Sequence, residues 1–87
     1  MPTNEIVIEI LSKDDCCLCD EAKKILDAVI PDYPAKLVVI DIENDHKLMQ
    51  LFGEKIPVIR VDGEEWFKFK VSENVLRLRL DDYLKNK

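Results

Sequence analysis

Ser12-Lys13-Asp14-Asp15-Cys16-Cys17-Leu18-Cys19-Asp20 holds all three cysteines of the chain, packed within four positions. Before it lies an apolar run, Ile6, Val7, Ile8, Ile10 and Leu11. After it, Leu18, Ala22, Ile25, Leu26 and Val29 recur at the spacing of one helical face. The junction predicts a strand, a short turn and a helix that starts on the cysteines. Free N–H groups and the helix dipole at such a start favour an anion, and the thiolate is the nucleophilic form of cysteine. Cys16 is therefore the candidate nucleophile. Cys19 follows one turn into the helix, within reach to close a disulfide with it. The pattern reads as thiol–disulfide exchange.

Length and charge narrow the alternatives. The 87 residues suit one domain, 1–87, and a chain of this size buries roughly 60–65% of its unfolded surface. The formal net charge of −5 argues against nucleic acid or an anionic membrane as partner, since both need a basic footprint. No stretch approaches the ~18 apolar residues of a membrane span. Met1-Pro2-Thr3-Asn4-Glu5 lacks the basic-then-apolar start of a signal peptide. A secreted disulfide scaffold spreads an even number of cysteines along the chain, whereas here three are clustered. These features predict a soluble monomer in a reducing, cytoplasmic compartment.

The remaining elements follow from pattern. Glu5–Leu11 is the first strand, and a helix runs from about Cys17 to Ile30, stopped by Pro31 and Pro34. The nearly unbroken apolar run in Lys36–Ile42 predicts a buried parallel strand. Asn44 suits the N-cap of a short helix, Asp45–Phe52, with Gly53 at its C′ position. Ile56–Val61 is a third strand, Asp62-Gly63 is a hairpin turn, and Glu64–Val71 returns as a fourth. In that strand Phe67, Phe69 and Val71 share one face, and Trp66, Lys68 and Lys70 the other; the lysines mark an edge. The segment after Ser72 alternates like a strand at Leu76–Leu80. It also puts Val75, Leu76, Arg79, Leu80, Tyr83 and Leu84 on one helical face, and a Ser72-capped helix is the expectation. The order is β-α-β-α-β-β-α: an α/β fold with a four-stranded mixed sheet. Its first two strands are parallel through a right-handed crossover, and its last two form an antiparallel hairpin.

With these elements in place the chain resembles the glutaredoxin-like branch of the thioredoxin superfamily, over nearly its whole length. Glutaredoxins carry Ser-Lys-x-x-Cys-Pro-Tyr-Cys after the first strand, and Ser12-Lys13-Asp14-Asp15-Cys16-Cys17-Leu18-Cys19 matches it except between the cysteines. Cys16-Cys17-Leu18-Cys19-Asp20-Glu21-Ala22 is closer still to a smaller glutaredoxin-like family with Cys-x-Leu-Cys-Asp followed by Glu-Ala. The resemblance implies a thioredoxin-like, glutaredoxin-type three-layer sandwich. It also implies a cis Ile56–Pro57 bond facing the dithiol, with the Ile56 backbone aligning an extended substrate. Lys13 would lie near the nucleophile and hold the thiolate or a substrate carboxylate. Cys16 then attacks a disulfide and Cys19 resolves the adduct, with no cofactor beyond an external reductant. The chain departs from the pattern of glutathione-using members. Phe67-Lys68-Phe69-Lys70 stands where they have a Gly-Gly pair and an acid, and Lys55 replaces a threonine before the proline. Weak glutathione binding follows, so the expected partner is a disulfide-bearing protein or small thiol-derived substrate.

Other readings compete. Cys-x-x-Cys is also half of a zinc site, but His46 is the only other soft ligand at hand. The rival class is a module that binds a soft metal or carries an iron–sulfur cluster through the same cysteines. Cys17 reads as a bystander, because adjacent cysteines bridge poorly. Asp14, Asp15, Asp20 and Glu21 oppose Lys13, since negative charge disfavours a thiolate. Trp66 reads as a partly buried strand residue, and His46 as solvated.

Overall fold

The computed structural model describes residues 5–86. The elements are β1 (Ile6–Ser12), α1 (Cys17–Val29), β2 (Ala35–Asp41), α2 (His46–Phe52), β3 (Val58–Val61), β4 (Glu64–Lys68) and α3 (Glu73–Lys85), with single 3₁₀ turns at Ile30–Asp32 and Ile42–Asn44. The sheet order is β2-β1-β3-β4. β1 and β2 run parallel, whereas β3 is antiparallel to both β1 and β4. This is the expected mixed four-stranded α/β fold.

Alternation along the strands sorts side chains to two faces. Ile6, Ile8 and Ile10 of β1 and Ile59 and Val61 of β3 meet Ala22, Leu26 and Val29 of α1 and Leu76 and Leu80 of α3. Leu11 and Val58, one step out of phase, form a second cluster with Cys19, Ile42 and Ile56, against which Leu48 and Phe52 of α2 pack. Helices α1 and α3 thus cover one face and α2 the other, giving three layers. Each fully buried Ile or Leu contributes roughly 1.5–3 kcal/mol.

Several local expectations hold. Asp62 (φ 50°) and Gly63 (φ 90°) form a hairpin turn with both central residues at positive φ. Ser72 caps α3, its hydroxyl accepting from the Val75 N–H at 3.4 Å. Trp66 is half-buried, edge-on to Tyr83 with the rings at 86° and the Arg79 guanidinium 4.5 Å above it. His46 is exposed.

Others need correction. β2 is parallel but not buried: it is an edge strand, and Val39 is 52% exposed. An apolar run reports apolar surroundings for a strand between two neighbours, and β2 has one. The α1 helix closes at Val29, and Pro31 sits inside the following 3₁₀ turn, where its missing N–H costs nothing. Asp45, not Asn44, caps α2, accepting from the Lys47 and Leu48 N–H groups. Gly53 is the C-cap in ordinary right-handed geometry (φ −53°), not a left-handed C′ residue. What selects glycine there is space, since a Cβ would meet the Met49 carbonyl oxygen at 2.5 Å. β4 stops at Lys68, three residues early, because Phe69 turns to φ 69°. Phe69 therefore does not share a strand face with Phe67 and Val71. On α3, Leu76 and Leu80 are fully buried, but Val75 is 44% exposed.

Candidate dithiol site at the start of helix 1

Cys16 is the N-cap of α1, in extended geometry, and accepts a hydrogen bond through Sγ from the Cys19 N–H at 3.2 Å. A capping side chain satisfies one of the free N–H groups at a helix start; here the acceptor is sulfur, and a thiolate accepts better than a thiol. The turn that delivers Cys16 has two fixed points. Asp15 adopts φ 56°, a left-handed conformation that aspartate tolerates. The Asp14 N–H donates to the Glu43 carboxylate at 3.1 Å, tying the loop to the segment after β2.

The three thiols differ sharply in exposure: Cys17 is exposed, Cys16 intermediate and Cys19 buried. Cys19 lies in the apolar cluster with Leu11, Ile42, Ile56 and Val58, and Cys16 packs against that cluster. Burial pushes the Cys19 thiol up from 9.0 to about 11. A hydrogen bond to Cys16 and the charge of Cys16 act in the same direction, while the Lys13 backbone and Lys23 pull back. Cys19 is therefore a neutral thiol through the physiological range.

That value has a consequence for stability. A folded value above the unfolded one means the contribution is intact below about pH 9 and is lost as pH rises through about 11. The urea midpoint of the reduced protein should fall across that window, and the Cys19→Ala variant should lose less. Parallel declines in both proteins would show that Cys19 is not the titrating group.

The residues named from sequence come together in part. Ile56 (7% exposed) shares the Cys19 cluster, and Pro57 is buried beside it with a cis Ile56–Pro57 bond. Lys13 is half-buried and meets the site through its backbone, at the Cys19 thiol. Sequence reasoning missed Glu43, the left-handed turn conformation of Asp15, and the apolar wall of Ile40, Ile42, Leu48 and Phe52 behind the sulfurs. Glu43 carries no sequence signal, because its partner lies 29 positions away. Phe69 was also missed. Its N–H donates to the Pro57 carbonyl at 2.8 Å, which holds the end of β4 against the cis proline. Among the described residues, the group whose ligand atoms gather within 4.8 Å of one another is Asp14, Asp41 and Glu43, all exposed, and not the three thiols.

Comparison with known proteins agrees with this fold. Residues 7–85 match the glutaredoxin-like domain family (DUF836). The chain belongs to the glutaredoxin-like family. A glutaredoxin-like protein of Dictyostelium discoideum, named as a homolog of YDR286C, is 30% identical over 86 residues, covering 92% of this chain and 80% of its own. Among solved structures, protein XcR50 of X. campestris superposes with a TM-score of 0.73 at 28% identity, over 86% of this chain and 96% of that one. A thioredoxin of Halobacterium salinarum superposes at 0.70 with 20% identity, over 92% and 75%, which speaks to the fold. This glutaredoxin-like chain thus has a thioredoxin-like fold, with its cysteines at the strand-to-helix junction.

Proposed function

We propose that this glutaredoxin-like protein reduces disulfides through a Cys16–Cys19 dithiol. The observation that carries the reading is the sulfur cap: Cys16 Sγ receives the Cys19 N–H at the helix start, while Cys19 waits protonated behind it. The Cys16 thiolate attacks one sulfur of a substrate disulfide. A Cys16–substrate bond forms, the substrate S–S bond breaks, and the departing sulfur leaves as a thiolate. Cys19 then attacks Cys16 Sγ, giving its proton to a departing thiolate. A Cys16–Cys19 disulfide results, and the second substrate sulfur is released. The dithiol loses two electrons and the substrate gains them; an external thiol or dithiol restores the starting state. Burial that keeps Cys19 neutral separates the roles, leaving one sulfur to attack and one in reserve.

The protein should take up one equivalent of a small disulfide, lose two thiols, and keep Cys17 open to alkylation. Differential alkylation with mass spectrometry reads this directly; a protein that retains all three thiols would overturn the proposal. Phe67-Lys68-Phe69-Lys70 offers no glycine for close backbone contact with a γ-glutamyl group. Turnover with glutathione as sole reductant should therefore trail a dithiol reductant by about tenfold or more, the worth of one unmade charged hydrogen bond. Equal rates with the two reductants would contradict this. The partner in this reading is a disulfide-bearing polypeptide or small thiol-derived disulfide, met in a reducing compartment such as the cytoplasm.

A further inference from the structure

Phe69 is the most unusual backbone position near the site. It is a bulky residue at φ 69°, where the left-handed region favours glycine. The Lys70 N–H donates to the Lys68 carbonyl at 2.8 Å across it, making a γ-turn of the rarer, strained hand. The Phe69 N–H is held by the Pro57 carbonyl at 2.8 Å, so the turn is anchored beside the cis proline. Strain of this kind persists where surrounding contacts impose it, and it concentrates at functional sites. Its product here is specific. The ring, 44% exposed, becomes one wall of a groove of about 100 Å³, with Leu18, Ala22, Ile25 and Val71 as its other apolar walls and Glu21 and Lys70 as its charged ones. Leu18 lies between Cys17 and Cys19 in the first turn of α1, so the groove runs along the same helix that carries the dithiol, with no sulfur in its walls.

We propose that Phe69 is a specificity-determining residue: it closes an apolar groove that takes one aliphatic side chain of a polypeptide disulfide bound at Cys16. The proposal rests on the dithiol reading above and adds the substrate class. The groove volume matches a single aliphatic side chain. The surroundings fix the chemistry of the rest of the occupant. Asp14, Asp15, Asp20 and Glu21 are all exposed on the segment that carries the sulfurs, whereas Lys13 and Lys23 there are half-buried; Glu21 and Lys70 bring opposite charges to the groove lining. The acidic excess on the cysteine-bearing segment repels the carboxylates of glutathione and attracts a polypeptide with basic flanks. A substrate joined to Cys16 through its own sulfur is tethered, so a neighbouring apolar residue reaches the groove at high effective concentration.

The test uses the full chain and three disulfides. One is a short basic peptide disulfide with leucine beside its cysteine, one is the same peptide with aspartate there, and one is oxidised glutathione. Wild type should react with the leucine peptide about tenfold faster than with the aspartate peptide, the usual worth of a filled apolar pocket. Phe69→Gly, which suits the backbone, and Phe69→Asn, which tolerates it, should both shrink that ratio to near one. Both should raise the relative rate with oxidised glutathione. Alkylation of Cys16 by neutral iodoacetamide should stay unchanged, separating groove from thiol reactivity. Unchanged ratios in both variants, with all disulfides still reduced, would overturn the proposal and leave the dithiol reading standing. Failure of wild type to reduce any of the three would overturn both.

Discussion

Cys16→Ser is expected to reduce disulfide reduction to the uncatalysed rate. Cys16 is the sulfur that caps α1 and accepts its N–H, and a serine hydroxyl does not supply a thiolate there. The Cys19→Ser variant should behave differently. It keeps the attacking sulfur and should form a mixed disulfide at near wild-type rate, but fail to release it, so single-turnover uptake survives and multiple turnover stops. Cys17→Ser should leave turnover close to wild type, because Cys17 is exposed and lies outside the apolar cluster that holds Cys19. Stopped-flow kinetics with a chromogenic disulfide separates uptake from release. Loss of activity in Cys17→Ser with retention in Cys16→Ser would reverse the assignment.

Leu26→Ala should cost about 2–5 kcal/mol of stability, the range for emptying a fully buried leucine site. Leu26 is 0% exposed, in the core that joins α1 to the sheet and α3. Folded domains hold only about 5–15 kcal/mol in total, so this change removes a large share. It also loosens the helix that carries Cys16 and Cys19. Leu78→Ala is the matched control: Leu78 is 69% exposed, and the change should stay within about 0.5 kcal/mol. Urea denaturation of the reduced proteins measures both. Equal losses would mean that α1 does not pack on the sheet through Leu26.

The order of elements was legible because the local signals agreed with the fold. Alternating isoleucines in β1, the Asp62-Gly63 turn and the Ser72 cap each depend on near neighbours. The dithiol was legible for the same reason, since three positions of helix bring two sulfurs together. What escaped depends on contacts between distant segments. Nothing in Leu37-Val38-Val39-Ile40 says that β2 has only one neighbour. The Glu43 brace on Asp14 joins residues 29 apart. Phe69 looked like one more alternating strand residue, and the γ-turn closed by the Lys70 N–H on the Lys68 carbonyl ends the strand there. Val75 looked like a core position on α3, but the packed face is set by Leu76 and Leu80.

The central claim is that Cys16 attacks and Cys19 resolves. The most direct measurement is site-resolved mass spectrometry of the Cys19→Ser protein after reaction with a small disulfide and quenching in acid. The account predicts a single adduct, on Cys16, with Cys17 free. An adduct on Cys17 with Cys16 unmodified would contradict it.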